Sequence, residues 1–161
     1  MEGVVFGILN ENNLPDKLRC TELINLARPM NITFHRAFDE MKNSFAALEE
    51  IIVCGFERIL TSGQKKSATE GAELISELIS KANERIIIMP GGGVRPENIS
   101  ELKLKSGAKE FHSSGINAGT LLPDKNTIEL LRNKKSCVQN PCLSCVSKVF
   151  PIKIPQTLYW Q

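Results

Sequence analysis

Five short apolar runs recur along the chain, and each closes on polar residues able to do chemistry: Val4–Leu9, Ile32–Phe34 leading to His35-Arg36, Arg58–Leu60 leading to Thr61-Ser62-Gly63, Arg85–Met89 leading to Pro90-Gly91-Gly92-Gly93, and Glu110-Phe111 leading to His112-Ser113-Ser114. The first four are each followed by a stretch with apolar residues at helical spacing. Leu18, Leu23, Ile24 and Leu26 form the first stripe; Phe45, Leu48, Ile51 and Ile52 the second; Leu74, Ile75, Leu78 and Ile79 the third; Ile99, Leu102 and Leu104 the fourth. The repeat is ~27 residues, the size of a minimal strand–helix unit. The first run is continuously apolar from Gly3 to Leu9, as expected of a strand buried on both faces. The pattern therefore predicts an α/β fold with about five parallel strands, a partial (β/α) barrel. All strand carboxyl ends then lie on one face, where barrels build their sites.

Punctuation supports these boundaries. Asn43 or Ser44 is placed to cap the second helix, and Gly55 to end it. Ser67 with Glu70 has the spacing of a capping box for the third. Arg95-Pro96-Glu97-Asn98 reads as the start of the fourth helix, and Gly107 as its end. After Ser114 the alternation fails, and Thr127–Arg132 is the one short helical pattern there. Residues 1–114 thus read as the barrel-like part and 115–161 as an irregular tail.

The chain has 161 residues, 42% of them hydrophobic and 24% charged, with a net charge of +2. These values fit one globular domain with a real core and give no electrostatic case for nucleic acid. No apolar run is long enough for a membrane span, and Met1-Glu2-Gly3-Val4 does not have the pattern of a signal peptide, so a cytosolic address is the expectation. Of the five cysteines, Cys20 and Cys54 sit in helical patterns as small core residues. Cys137, Cys142 and Cys145 have the spacing of soft-metal ligands, three quarters of a zinc or iron–sulfur set and able to hold copper(I).

The candidate site residues lie at the run ends. Gly91, Gly92 and Gly93 allow backbone N–H groups to approach an anion, with a helix start following. Arg36 can clamp a carboxylate or phosphate, and Asp39 sits where it can orient Arg36 or His35. Thr61 and Ser62 offer hydroxyls, as does Ser113. His35 and His112 are the only histidines, both near strand ends on the same face, and each can act as a general base or a metal ligand. A small anionic metabolite, phosphorylated or not, with a histidine moving its proton is one reading of this set. Structural ion pairs and tight turns are the other.

At Thr33–Asp39, Arg58–Gly63, Met89–Val94 and Glu110–Ser114 the chain resembles the CutC copper homeostasis family, with four motifs in order over Gly3–Ser114. The resemblance implies a TIM barrel, a mainly cytoplasmic location with a nuclear pool as a secondary address, and copper as ligand. It begins at what would be the family's fourth strand, so cysteines suggested as copper ligands before that point have no counterpart here. His35, His112 or Cys137, Cys142 and Cys145 would then supply the donors. Five strands do not close an eight-stranded barrel, so exposed edges lead us to expect self-association, or pairing with a full-length copy in a non-catalytic role.

Overall fold

The computed structural model describes residues 3–116 and 122–136; Cys137, Cys142 and Cys145 lie outside the described residues. The elements alternate as the periodicity requires: β1 (Gly3–Phe6), α1 (Lys17–Ala27), β2 (Asn31–Phe34), a 3₁₀ turn (Arg36–Glu40), α2 (Ser44–Cys54), β3 (Arg58–Thr61), α3 (Ala72–Ala82), β4 (Ile87–Pro90), α4 (Ile99–Ser106) and α5 (Lys125–Ser136). The strands form one four-stranded parallel sheet in the order β1-β2-β3-β4. The fifth apolar run does not make a full strand. It contributes a single parallel bridge between Gly91 and His112, just past the end of β4.

Local chemistry explains the helix ends. Asp16 caps α1 by accepting from Arg19 N–H at 3.1 Å, and Asn43 caps α2 by accepting from Ala46 N–H at 3.0 Å. Gly55 and Gly107 end α2 and α4 in left-handed conformation. Of the Ser67–Glu70 capping box only the half with Glu70 N–H donating to Ser67 Oγ at 3.3 Å forms; Ser67 Oγ itself donates to the Glu70 carboxylate at 2.7 Å, and the pair closes a turn ahead of α3, whose own cap is Gly71. The stretch expected to be irregular contains α5. Asp124 accepts from Thr127 N–H at 2.7 Å, which starts that helix ahead of the Thr127–Arg132 pattern.

The main core lies between the sheet and its helices. Ile32, Phe34, Ile59, Ile88 and Phe111 pack there with Ile24, Leu48, Ile51, Ile75, Leu78 and Leu102, and Cys20 and Cys54 are buried among them. Strand side chains alternate between faces. Leu60 and Met89 are buried outside that cluster, on the opposite, concave face of the sheet. The same alternation assigns Thr33, His35, Gly91, Glu110 and His112 to the concave face.

Candidate functional site

The loops after β2, β3 and β4 meet at the carboxyl edge of the sheet, and one carboxylate ties two of them together. Asp39 accepts from Arg36 Nε at 2.8 Å, from Thr61 Oγ1, from Ser62 N–H at 3.1 Å and from Gln64 N–H at 3.2 Å. Burial would raise its pKa. Hydrogen bonds from Thr61, Arg36, Ser62 and Gln64 outweigh burial and hold the carboxyl below its usual range. Asp39 is thus an anion fixed in place by donors from two loops.

Arg36 is positioned by this arrangement. Its Nε is held by Asp39, and its Nη2 donates to Ser62 Oγ at 2.8 Å. The third nitrogen, Nη1, makes no hydrogen bond among the described residues and faces Gly92: a Cβ built on Gly92 would lie 3.4 Å from it and 3.3 Å from Ser62 Cβ. Gly92 also has φ +101°, where side chains are strained. The Arg36 side chain is 46% exposed.

The glycines of the triplet differ in role. Gly91 N–H donates to the Thr61 carbonyl at 2.8 Å, so it is not free for an anion. A Cβ on Gly91 would lie 2.4 Å from Leu60 Cδ1 and 3.3 Å from His112 Cβ, so Gly91 is there to let those side chains close in. The N–H groups of Gly92 and Gly93 have no partner among the described residues. The expected help from a helix start is absent: α4 begins at Ile99, and the intervening turn is held by Asn98, whose Nδ2 donates to the Gly93 carbonyl at 2.8 Å. On the same edge loops Lys42, Lys65, Lys66 and Arg95 form no ion pair among the described residues, and neither do the carboxylates Glu40, Glu70 and Glu97.

The two histidines stand at the same edge but are not neighbours in the sheet, since β3 and β4 lie between their positions. His35 caps the 3₁₀ turn: its Nδ1 accepts from Ala37 N–H at 3.2 Å, and its ring meets Phe34 edge-on at 5.8 Å. Burial lowers the pKa of both imidazoles, so both are neutral at pH 7. Ser113 is drawn away from the rim, with its hydroxyl donating to the Val94 carbonyl at 2.7 Å. Among the described residues no group of three or more His, Cys, Asp or Glu side chains is arranged to hold a metal ion.

The structure therefore joins Arg36, Asp39, Thr61, Ser62 and Gly92, and separately seats His112 against Gly91. Gln64, Lys65 and Asn98 were missed as loop anchors. Gln64 donates from Nε2 to the Met41 carbonyl, and the Lys65 carbonyl accepts from Ser62 Oγ at 2.6 Å. Backbone-directed bonds of this kind leave no spacing signal.

Fold and site together define a partial β/α-barrel protein with a hydrogen-bonded side-chain cluster at the carboxyl edge of its sheet. The chain belongs to the CutC family, whose family model matches residues 1–117. It is similar to a copper homeostasis protein cutC homolog of Mus musculus, 50% identical over 113 residues, covering 70% of this chain and 42% of the mouse protein. The Homo sapiens protein of the same description is 49% identical over 113 residues, covering 70% of this chain and 41% of the human one. A CutC family protein of Parabacteroides distasonis is 49% identical over 114 residues, covering 71% and 47%. The chain thus spans less than half the length of each of these relatives. A crystal structure of CutC from Streptococcus agalactiae superposes with a TM-score of 0.63 at 33% identity, covering 67% of this chain and 53% of that one. No helix among the described residues is long and apolar enough to cross a membrane.

Proposed function

We propose that this chain serves copper homeostasis through its carboxyl edge, and that the edge binds a small ligand bearing an oxyanion group. The observation that carries this is the state of Arg36. Two of its nitrogens are tied to Asp39 and Ser62, while Nη1 lies 3.4 Å from where a Cβ on Gly92 would stand, on a loop where the Gly92 and Gly93 N–H groups have no partner among the described residues. A guanidinium locked in this way gives up little side-chain freedom on binding, so its charge-assisted hydrogen bonds count nearly in full. Titration of the chain with inorganic phosphate tests it. Binding is expected, weakened in Arg36→Gln by about 1.5–3 kcal/mol, roughly tenfold to a hundredfold. A native chain that does not bind phosphate, or an Arg36→Gln chain that binds it equally well, overturns the proposal.

A second reading keeps copper itself as the ligand, favoured by two neutral imidazoles on one edge and by the names of the mouse and human relatives. Imidazole nitrogens suit copper, and an unprotonated ring needs no proton displaced. His35 offers Nε2, because its Nδ1 is engaged with Ala37. The further donors in this reading are Cys137, Cys142 and Cys145, outside the described residues. Copper(I) titration of His35→Ala with His112→Ala, and of a chain with the three cysteines changed to Ser, decides it. Uptake unchanged by both sets of substitutions removes these residues as ligands.

A further inference from the structure

The two histidines are chemically inequivalent, and the difference points to one of them as a ligand-reading group. The His35 ring has a structural task, since its Nδ1 ends the backbone at the start of the 3₁₀ turn. The ring of His112 has none that the fold requires. Its backbone N–H donates to the Pro90 carbonyl at 2.9 Å, which fixes the main chain. Its ring makes no hydrogen bond among the described residues. A ring that is more than half removed from water yet has no protein partner is an uncommon arrangement, because a shielded polar nitrogen without a partner costs stability.

Position gives this ring its meaning. A Cβ on Gly91 would lie 3.5 Å from His112 Cδ2, so the imidazole lies along the Gly91 backbone. The next residue, Gly92, has an N–H without a partner among the described residues, and a Cβ built on it would lie 3.4 Å from Arg36 Nη1. The ring that lies against Gly91 is thus one residue along the chain from the backbone on which the proposed oxyanion would rest. A neutral imidazole presents one nitrogen that accepts and one that donates, which matches a hydroxyl group.

We infer that His112 recognises a hydroxyl on the ligand, close to the oxyanion, so that the ligand class is a small hydroxylated phosphate ester or a molecule of the same shape and charge. This rests on the oxyanion site proposed above.

The test compares two phosphate monoesters of equal charge, methyl phosphate and glycerol 3-phosphate, by calorimetric titration of the full chain. Glycerol 3-phosphate should bind about three- to tenfold more tightly, the net effect of one hydrogen bond. In His112→Phe the ratio of the two affinities should fall to about one, and His112→Gln, which keeps an acceptor and a donor, should restore part of it. If His112→Phe does not fold, the unsubstituted chain still decides. The nitrogen resonances of the His112 ring should shift with glycerol 3-phosphate and not with methyl phosphate, while those of His35 stay in place. Equal affinities for the two esters, or a ratio that survives in His112→Phe, overturns the role of His112 and leaves the oxyanion site standing. Failure of both esters to bind overturns the site and this role together.

Discussion

Asp39 and Ser62 lie on loops after different strands, and the carboxylate accepts both the Ser62 N–H, at 3.1 Å, and a contact from its hydroxyl at 3.0 Å. This is the link that holds Arg36 in one orientation, because Ser62 Oγ in turn receives Arg36 Nη2. In Asp39→Asn one carboxylate oxygen becomes an amide nitrogen. That nitrogen would then face donors, and the attraction to Arg36 is lost. The substitution should cost about 2–4 kcal/mol in urea unfolding, the range for charged hydrogen bonds with a shielded acceptor. Phosphate affinity should fall with it, through a misplaced Arg36.

Acid should weaken the fold in two separate windows. The imidazoles of His35 and His112 have folded pKa values below the model-compound 6.5, so between 6.5 and those lower values the unfolded chain binds more protons. Stability is therefore full above pH 6.5 and declines as pH falls below it. Asp39 acts lower down: its folded pKa is below 3.8, so its contribution is present above that pH and is lost as pH falls through the folded value. Urea midpoints measured from pH 8 to 3 should show both declines. His112→Gln should flatten the upper one and Asp39→Asn the lower one. A midpoint that does not change between pH 7 and 5 contradicts the burial of the imidazoles.

The three glycines should separate on substitution by alanine. Gly91→Ala sets a methyl 2.4 Å from Leu60 Cδ1, so Leu60 or His112 must move, and a cost of about 1–3 kcal/mol is expected for overpacking. Gly92→Ala adds left-handed strain at φ +101° to contact with Arg36 and Ser62, with a similar cost and a larger loss of phosphate binding. Gly93→Ala has φ +72° and only Ser67 nearby at 3.5 Å, so it should cost about 1 kcal/mol, the least of the three. Thermal unfolding and phosphate titration of the three variants check the order.

The period-two and period-3.6 patterns made the strands and helices legible, because burial against a common core selects those residues directly. Asn43 was legible as a cap because its side chain can accept from the first turn, and Gly55 and Gly107 because a left-handed helix end favours glycine. The fifth strand was over-read: Glu110-Phe111-His112 has the apolar centre of a strand, but only Gly91 and His112 pair, just past the end of β4. The pairing of Arg36 with Asp39 could be seen three residues apart in sequence. Its dependence on Ser62 could not, since nothing local encodes a contact 26 residues away. Nor did sequence distinguish His35 from His112. Both are histidines just beyond an apolar run, and only the Ala37 N–H, pointing back at one ring, makes the difference.

Arg58 and Glu110 form a long-range ion pair, with Nε–Oε2 at 2.8 Å and Nη2–Oε1 at 3.5 Å. Arg58 opens β3, whereas Glu110 precedes His112 by two residues, so the pair reaches past β4 to anchor the segment that carries the imidazole. Both side chains are largely shielded, 14% and 17% exposed. Glu110→Gln leaves the guanidinium without its countercharge, but Glu57 lies within 3.4 Å and softens the loss. A cost of about 2 kcal/mol is expected, below the value for a fully buried pair. Arg58→Met combined with Glu110→Leu should recover most of it, because two apolar groups of similar size need no partner. If the pair positions His112, the glycerol 3-phosphate to methyl phosphate ratio should drop in Glu110→Gln while Arg36-dependent phosphate binding persists. A ratio that holds in Glu110→Gln would make the pair a matter of stability alone.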